Sequence, residues 1–350
     1  MGRERVGRPP CALVGEISGN HGGRLETAVR ILEEIAGAGA WAVKLQTYTA
    51  DTMTLPIVDG AFRIDDPGSP WVGSSLHDLY QRAHTPWEWH APLFAQAKEL
   101  GLVCFSTPFD ETAVDFLETL DCPIYKIASF ENGDLPLIRY AARTGKPLVI
   151  STGMATRDEI GEAVAAARDG GASSVTLLKC TSAYPADPAE SHLLTIPALR
   201  REFGCDVGLS DHTLGIGAAV AAAALGATMI EKHVTLRRAD GGVDAGFSLE
   251  PQELAQLVRE VGAASAALGT EHWGPTESER RSLVFRRSLY FVRDVAAGGV
   301  VQAADVRRIR PGHGLAPKYE STVVGRRTTR AVRRGDPVRW EDLEGGRPPA

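Results

Sequence analysis

Two short apolar segments of the sequence each carry a histidine at their carboxyl end. Val207–His212 and Met229–Val234 flank a Gly/Ala-rich stretch with a helical pattern. A strand–helix–strand unit of this length is typical of a parallel βαβ arrangement, in which adjacent strands lie about 5 Å apart. We therefore expect the imidazoles of His212 and His233 to share one divalent metal ion. Asp244 follows in a Gly-rich loop that is expected to cover the same mouth.

The other predicted strands also end in polar side chains. Residues two apart on a strand face the same side, so Lys44 lies with Gln46 and Glu231 lies with His233. Lysines and hydroxyls gathered at one mouth suit a small substrate with phosphate and carboxylate groups. The polar residues at these ends are Glu16, Asn20, His21, Lys44, Gln46, Ser106, Thr107, Lys126, Ser129, Ser151, Thr152, Lys179, Thr181, Ser182, Tyr184, Ser210, His212, Glu231 and His233.

A lysine inside an apolar strand is costly unless it is paired. Structural ion pairs with acidic neighbours are therefore the alternative interpretation of Lys44 and Lys126. For His212 and His233 the alternative is a pair of ordinary hydrogen-bonded histidines. Barrel closure would bring the first strand beside the last and place Glu16 near both histidines.

Alternating apolar bursts and amphipathic stretches supply the elements that position these residues. Eight β–α units in about 260 residues predict a (β/α)₈ TIM barrel, an α/β fold, over residues 11–270. A doubly wound open sheet is the competing architecture, but GEISGNHGG lacks the spacing of a dinucleotide loop. The predicted strands are Ala12–Ser18, Ala42–Thr47, Leu102–Thr107, Ile124–Ser129, Leu148–Thr152, Val175–Cys180, Val207–His212 and Met229–Val234. The predicted helices are Leu25–Ala38, Trp87–Leu100, Glu111–Leu120, Leu135–Ala142, Arg157–Arg168, Thr195–Phe203, Ile216–Ala224 and Pro251–Leu268.

Three regions lie outside this pattern. Residues 1–10 are expected to be a disordered lead, and the long connection Tyr48–Pro86 is either a functional lid or a surface insertion. Residues 271–287 are interpreted as a linker. Residues 288–345 form a small β-rich domain in which DVAAGGVV and AVRRGDPV suggest two related turns.

Composition narrows the class of protein. The net charge of −6 provides no basic field for nucleic acid. No apolar run of about 18 residues indicates a membrane span, and the N-terminus lacks the apolar region of a secretory signal. The five cysteines are scattered and form no CxxC pair. We expect reduced, mostly buried thiols in a cytoplasmic protein.

Nine motifs in order resemble those of the sialic acid synthase family. They are EISGNHGG, VKLQT, FSTPFDETAVDFLE, YKIASFE, STGM, LLKCTSAYP, GLSDHTLGIG, IEKHVTL and RPGHGL. The resemblance covers about Cys11 to Asp342. HTPWEWH and RADGGVDAGFSLEP favour the pseudaminic acid branch. The branch that makes sialic acid itself is expected to read KHQTH and CTNxYP where this chain has KLQTY and CTSAYP, so Ser182 replaces an asparagine.

The resemblance implies a TIM barrel followed by a SAF (antifreeze-like) domain. It implies condensation of phosphoenolpyruvate with an acylamino sugar, giving a nine-carbon 2-keto acid and phosphate. The expected sugar is 2,4-diacetamido-2,4,6-trideoxy-β-L-altropyranose, with N-acetylneuraminate or legionaminate synthesis as the alternative. The implied cofactor is a divalent metal, Mn²⁺ or else Mg²⁺ or Co²⁺. The implied assembly is a domain-swapped homodimer.

Site roles follow from the same resemblance. His212 and His233 are the implied metal ligands, and Glu16 is the acid/base carboxylate. Arg310 resembles an arginine that the SAF domain sends into the partner's site. The implied contacts of phosphoenolpyruvate and its surroundings are Lys44, Gln46, Thr107, Lys126, Ser129, Ser151, Ser182 and Ser210. The implied contacts of the sugar are Tyr184 and Asp244.

Three readings from other classes remain open on the sequence alone. One is a Schiff-base aldolase that uses pyruvate and Lys126 as nucleophile. Another is an inactive barrel that serves as a binding scaffold. The third is an ice- or carbohydrate-binding role for the small β-domain by itself.

Overall fold

Eight parallel strands close into a barrel. The structure is a computed structural model and describes residues 9–347. Adjacent strands pair in sequence order, and β1 closes the barrel against β8 with Glu16 opposite His233. The strands are β1 Ala12–Glu16, β2 Ala42–Thr47, β3 Val103–Pro108, β4 Tyr125–Ile127, β5 Leu148–Ser151, β6 Val175–Cys180, β7 Asp206–Ser210 and β8 Met229–His233. The predicted TIM barrel is confirmed.

Five predicted strands extend too far at their carboxyl ends, β5 and β8 by one residue and three others by two residues. β1 ends at Glu16 rather than Ser18, and β4 ends at Ile127 rather than Ser129. β7 ends at Ser210, so His212 lies in the following loop and not on the strand. In these three cases the chain leaves the sheet because its polar side chains bond to neighbouring loops, for example Ser129 to the Gly153 amide.

Ten helices within residues 9–269 accompany the barrel strands, and each of them buries apolar side chains. In the first helix, Ala28, Ile31, Leu32 and Ile35 are buried, which is the three-and-four spacing of an amphipathic helix. The helices are α1 Leu25–Gly37, α2 Ala50–Met53, α3 Leu76–Ala83, α4 Trp87–Glu99, α5 Glu111–Glu118, α6 Leu135–Ala142, α7 Arg157–Gly170, α8 Thr195–Phe203, α9 Gly217–Ala224, α10 Pro251–Leu268, α11 Glu277–Arg280 and α12 Glu320–Val323. Within residues 9–347, no helix combines the length and apolar character needed to cross a membrane. All five cysteines are buried, and none of them is in a disulfide bond.

The chain divides into two compact units at Gly269–Thr270. The second unit contains an antiparallel pair, β9 Ser288–Phe291 and β10 Val306–Ile309, over a small core that includes Leu289, Phe291 and Val338. The two similar segments of the sequence face one another there, because Val295 and Val332 exchange both backbone hydrogen bonds. Of the predicted lead at 1–10, residues 1–8 lie outside the described part.

Candidate active site

A cavity of about 420 Å³ opens at the carboxyl ends of the barrel strands. This is where active sites of such barrels lie, and the volume is that of a small-molecule site. Twelve of the fourteen predicted site residues line it: Glu16, Lys44, Gln46, Thr107, Lys126, Ser129, Ser151, Tyr184, Ser210, His212, His233 and Asp244. The sequence prediction therefore locates the cavity almost completely.

Two lysines and two glutamates form the floor of the cavity. Lys44 Nζ lies 2.8 Å from Glu16 Oε1 and 3.7 Å from Glu231 Oε1, and it donates to the Thr107 hydroxyl at 3.1 Å. Lys126 Nζ donates to both oxygens of Glu231, at 3.0 and 3.2 Å. All four charged side chains are buried. The ion pairs considered as an alternative for the lysines are thus present, inside the cavity rather than away from it.

Burial and the neighbouring charges shift the pKa values of the side chains that form the floor. Burial opposes ionisation of Glu16, but Lys44, His233 and Lys126 outweigh it and hold the pKa of that carboxyl far below its ordinary value. Burial also opposes the charged form of Lys44, whose pKa is nevertheless raised by Glu16 and Glu231. Burial wins for Lys126, whose pKa is lowered. Counted at their ordinary ionisation states, the two lysines and the two carboxylates of the floor carry no net charge.

His233 lies against Glu16 and the Gly-rich loop. Its Nε2 is 3.2 Å from Glu16 Oε2, and its Nδ1 is 3.7 Å from Asp244 Oδ2. Gln46 donates to Glu16 at 2.7 Å and to the Ser18 hydroxyl at 3.1 Å, and Ser18 donates to Asp244. Burial lowers the pKa of the His233 imidazole, although Glu16 and Asp244 act in the opposite direction. Barrel closure therefore brings Glu16 to His233, as the strand order predicts.

The His212 ring lies with its centroid 5.3 Å from that of His233. Its Nδ1 donates to the Thr181 carbonyl oxygen at 3.0 Å, so Nε2 is the nitrogen left for a ligand. The Tyr184 ring packs on it at 4.5 Å. The Cys180 sulfur lies 3.8 Å from Nδ1; although burial opposes thiolate formation, His212 lowers the pKa of this thiol to about 7.

The two histidines fit a divalent metal ion as part of its ligand set. Nδ1 of His233 is buried without a hydrogen-bond partner, and Nε2 of His212 is not used by its Thr181 contact. Among residues 9–347, no group of three or more His, Cys, Asp or Glu side chains has metal-site geometry. Oxygen atoms of substrate or water would complete the coordination. A divalent ion would also offset the charge of an anionic substrate above a neutral floor.

Hydroxyl groups line the side of the cavity formed after β4 and β5. The Ser129 hydroxyl accepts from the Gly153 amide at 3.1 Å, and the Ser151 hydroxyl is buried without a partner. A Cβ at Gly153 would lie 2.2 Å from the Ser182 hydroxyl and 2.7 Å from that of Ser129. Only glycine leaves room for both hydroxyls at this position, which forms a cradle suited to anionic oxygens.

Two predicted site residues do not line the cavity. Ser182 stands beside it, with its hydroxyl 3.9 Å from the Cys180 sulfur. Arg310 belongs to the second unit, where its side chain is exposed after β10.

Sequence reasoning left three residues out of the predicted site. Glu231 is the common partner of Lys44 and Lys126, and it accepts a hydrogen bond from the Ser210 hydroxyl at 2.9 Å. The sequence could have indicated this residue, because it shares a strand face with His233. Gly153 and Glu131 lie in the motifs STGM and YKIASFE. Glu131 lines the cavity, and burial raises its pKa to about 7.

Comparisons with known proteins agree with this geometry. The chain is 40% identical to pseudaminic acid synthase of Helicobacter pylori, over 96% of this chain and 98% of that protein. It is 34% identical to N,N'-diacetyllegionaminic acid synthase of Legionella pneumophila, over 95% of each. Among solved structures, the N-acetylneuraminic acid synthetase of Leptospira borgpetersenii matches with a TM-score of 0.70 at 30% identity, covering 79% of this chain and 91% of that one.

Family models cover both units. Residues 31–273 match the NeuB family, and residues 286–344 match the SAF domain. The predicted resemblance to the sialic acid synthase family and the predicted SAF domain are confirmed. By its barrel, its second unit and its similarity along almost the whole sequence, the chain belongs to the NeuB family.

Proposed function

We propose that this protein is a pseudaminic acid synthase. It condenses phosphoenolpyruvate with 2,4-diacetamido-2,4,6-trideoxy-β-L-altropyranose in its open aldehyde form and releases phosphate. The observation that carries the proposal is the buried lysine–glutamate floor beside His212 and His233, at the bottom of a cavity of small-molecule size. The higher identity to a pseudaminic acid synthase than to a legionaminic acid synthase supports the choice of sugar.

Phosphoenolpyruvate lies on the floor and the hydroxyl cradle. Lys44 and Lys126 neutralise its charges, because buried ammonium groups act strongly where water is excluded. Ser129 holds a phosphate oxygen next to the Gly153 amide. The remaining hydroxyl contacts come from Thr107, Ser151 and Ser210, and Ser182 supports this cradle from beside the cavity, next to Gly153.

The acceptor aldehyde lies against His212 and His233, with Tyr184, Gln46 and Asp244 as sugar contacts. These two imidazoles hold a divalent metal ion, Mn²⁺ with Mg²⁺ or Co²⁺ as alternatives. When bound, the ion supplies Lewis-acid polarisation of the aldehyde oxygen.

The reaction forms one carbon–carbon bond, and at C2 a bond to the oxygen of water replaces the bond to the phosphate oxygen. C3 of phosphoenolpyruvate attacks the aldehyde carbon, and the new alkoxide takes up a proton. Water adds to the cationic C2, and the tetrahedral intermediate loses phosphate with C–O cleavage to give the 2-keto acid. Glu16 is ionised at neutral pH, so it accepts the proton of the incoming water and orients it.

The second subunit completes the site in a domain-swapped homodimer. Four large apolar side chains are exposed on loops at the barrel mouth, namely Phe130, Met154, Leu194 and Leu214. They favour coverage of this face by another copy of the chain. Arg310 of that copy reaches the sugar, and Arg310→Ala is expected to raise the KM for the sugar with the barrel intact.

Phosphate release from phosphoenolpyruvate tests the proposal. The metal-reconstituted protein receives the altrose derivative, the legionaminate precursor or N-acetylmannosamine, with and without a chelator. Release with the altrose derivative alone, abolished by the chelator, is expected. Release with either other sugar alone would reassign the acceptor, and absence of release with all three would refute the function.

Histidine variants separate the metal role from the fold. His212→Ala and His233→Ala are expected to lose bound metal and activity together. His77→Ala removes a histidine that pairs with Asp51 away from the two metal-site histidines and serves as the matched control. Full activity of either site variant in the presence of chelator would remove the metal from the proposal. Borohydride trapping of pyruvate on Lys126 would instead support the Schiff-base aldolase.

A further inference from the structure

The cavity has two chemically different halves. Its floor carries the four buried charges, whereas the segment between β2 and α4 contributes mostly carbon surface. Nine side chains of that segment line the cavity: Tyr48, Ser69 and Ala83, and a second set of six, Met53, Ile64, Trp71, Leu76, Leu79 and Tyr80. We call these six side chains the roof. The segment predicted from sequence as a lid or a surface insertion is therefore a wall of the site.

The roof is an ordered structure. Ile64 exchanges backbone hydrogen bonds with its own segment, since its amide donates to Ser74 at 3.0 Å and its carbonyl accepts from Gly73 at 2.8 Å. α3 begins at a serine cap, where the Ser75 hydroxyl accepts from the Asp78 amide. These contacts hold the apolar side chains in place before any ligand arrives.

Trp71 ties the roof to the loops that carry the sugar contacts. Its indole nitrogen donates to the Val243 carbonyl at 3.0 Å, directly before Asp244. Its ring lies 5.6 Å from that of Tyr184. The roof, the Gly-rich loop and the loop after β6 thus form one continuous enclosure.

The floor and the roof together predict how the acceptor sugar is oriented in the cavity. If the phosphoenolpyruvate anion occupies the floor and the aldehyde lies at His212 and His233, the sugar carbons remote from the aldehyde face the roof. A methyl group gains free energy on such a surface, whereas a hydroxyl buried there without a partner is costly. This step rests on the function proposed above.

We propose that the roof selects an acceptor whose remote end carries methyl groups, as a 6-deoxy N-acylated amino sugar does, over one with a free 6-hydroxyl. Met53 and Ile64 are the side chains best suited to a test. Both line the cavity, and neither belongs to the floor or to the sugar-binding loops.

A matched pair of acceptors tests this selectivity. One is the 2,4-diacetamido-2,4,6-trideoxy sugar, and the other has the same stereochemistry with a hydroxyl at C6. We expect the unmodified protein to prefer the deoxy sugar by about 10- to 100-fold in kcat/KM, the range that apolar pockets achieve against an added hydroxyl. The double variant Met53→Gln/Ile64→Thr is expected to reduce this ratio about 10-fold while the KM for phosphoenolpyruvate stays unchanged.

Val72→Thr is the control for the roof variant. Val72 lies on the same segment, but its side chain is 52% exposed and does not line the cavity. The ratio of kcat/KM values for the two acceptors should be the same in Val72→Thr as in the unmodified protein. An equal loss in Val72→Thr, or an unchanged ratio in the double variant, would overturn the inference with the proposed function intact. Failure of the unmodified protein to use either sugar would overturn both.

Discussion

The barrel contains two kinds of buried lysine, and their difference separates a binding site from a structural support. Lys126 and Lys232 are both buried, and each bonds to a carboxylate at about 3 Å. Lys232 donates to Asp211 at 2.9 Å, to the Thr213 carbonyl at 2.7 Å and to the Gly215 carbonyl at 3.0 Å. Its three ammonium donors are thus all used.

Lys126 is bound less completely. Both of its hydrogen bonds go to Glu231, and it lines the cavity, whereas Lys232 does not. Strand alternation places Glu231 and His233 inside the barrel and Lys232 between them on the outer face. Burial and ion pairing therefore do not distinguish the two roles. What distinguishes them is whether the ammonium group retains a donor and faces an open space.

The largest expected effect concerns the structural lysine. Lys232→Met should lower the free energy of unfolding by about 3–5 kcal/mol, because Asp211 is left buried without its charge partner. Urea unfolding of the barrel measures this loss. The double variant Lys232→Met/Asp211→Asn should recover part of it, since no charge then remains. A loss below about 1 kcal/mol would break the comparison.

The cavity lysine should affect catalysis more than stability. Lys126→Met is expected to lower kcat/KM for phosphoenolpyruvate by about 10²- to 10³-fold, the size of effect seen when one charge-stabilising donor is removed. Glu231 keeps its bond to Ser210 and its proximity to Lys44, so the barrel remains folded. Steady-state kinetics and thermal unfolding are measured together. Unfolding comparable to that of Lys232→Met would make this lysine structural too.

Glu131 on the cavity wall has no lysine partner within residues 9–347, and it can be compared with the lysine-paired Glu16. Burial raises the pKa of Glu131 from 4.5 to about 7, the opposite of Glu16. The folded state therefore holds this proton more tightly than the unfolded state, and stability falls as the pH rises from about 4.5 to about 7. The shift corresponds to about 3 kcal/mol. Urea unfolding at pH 5 and pH 8 should show this loss in the unmodified protein and not in Glu131→Gln; equal losses would contradict it.

The smallest expected effect is at an unpaired hydroxyl. The Ser151 hydroxyl is buried without a partner, so Ser151→Ala should change the free energy of unfolding by less than about 0.5 kcal/mol. If this hydroxyl binds the substrate anion, the KM for phosphoenolpyruvate rises about 10-fold, the value of one hydrogen bond to a charged group. Thr176→Val, a substitution on neighbouring β6, is the control. An unchanged KM would place Ser151 outside the cradle.

Strand positions and the polar strand ends could be predicted from sequence because they depend on local patterns. β2 and β6 begin and end where their apolar bursts predict. Parallel barrel strands present their carboxyl ends on one side. The sequence therefore predicts that Lys44, Lys126 and His233 lie close together. The last residue of a strand was predicted less accurately, because hydrogen bonds to neighbouring loops decide where strand pairing stops. His212 was predicted at the end of a strand but lies in the loop after β7.

Pairing between distant residues was decided only by the tertiary structure. The sequence placed Glu231 and Lys126 in strands β8 and β4, and only barrel closure brings their side chains to 3.0 Å. The roof is a further case, since Met53 and Ile64 lie in a segment without helical or strand periodicity. Alternation and helical spacing are set by neighbouring residues, and for this reason the sequence alone determined the barrel. The partner of each buried charge and the apolar wall of the cavity depend on contacts between residues far apart in the chain, which exist only once the barrel is closed.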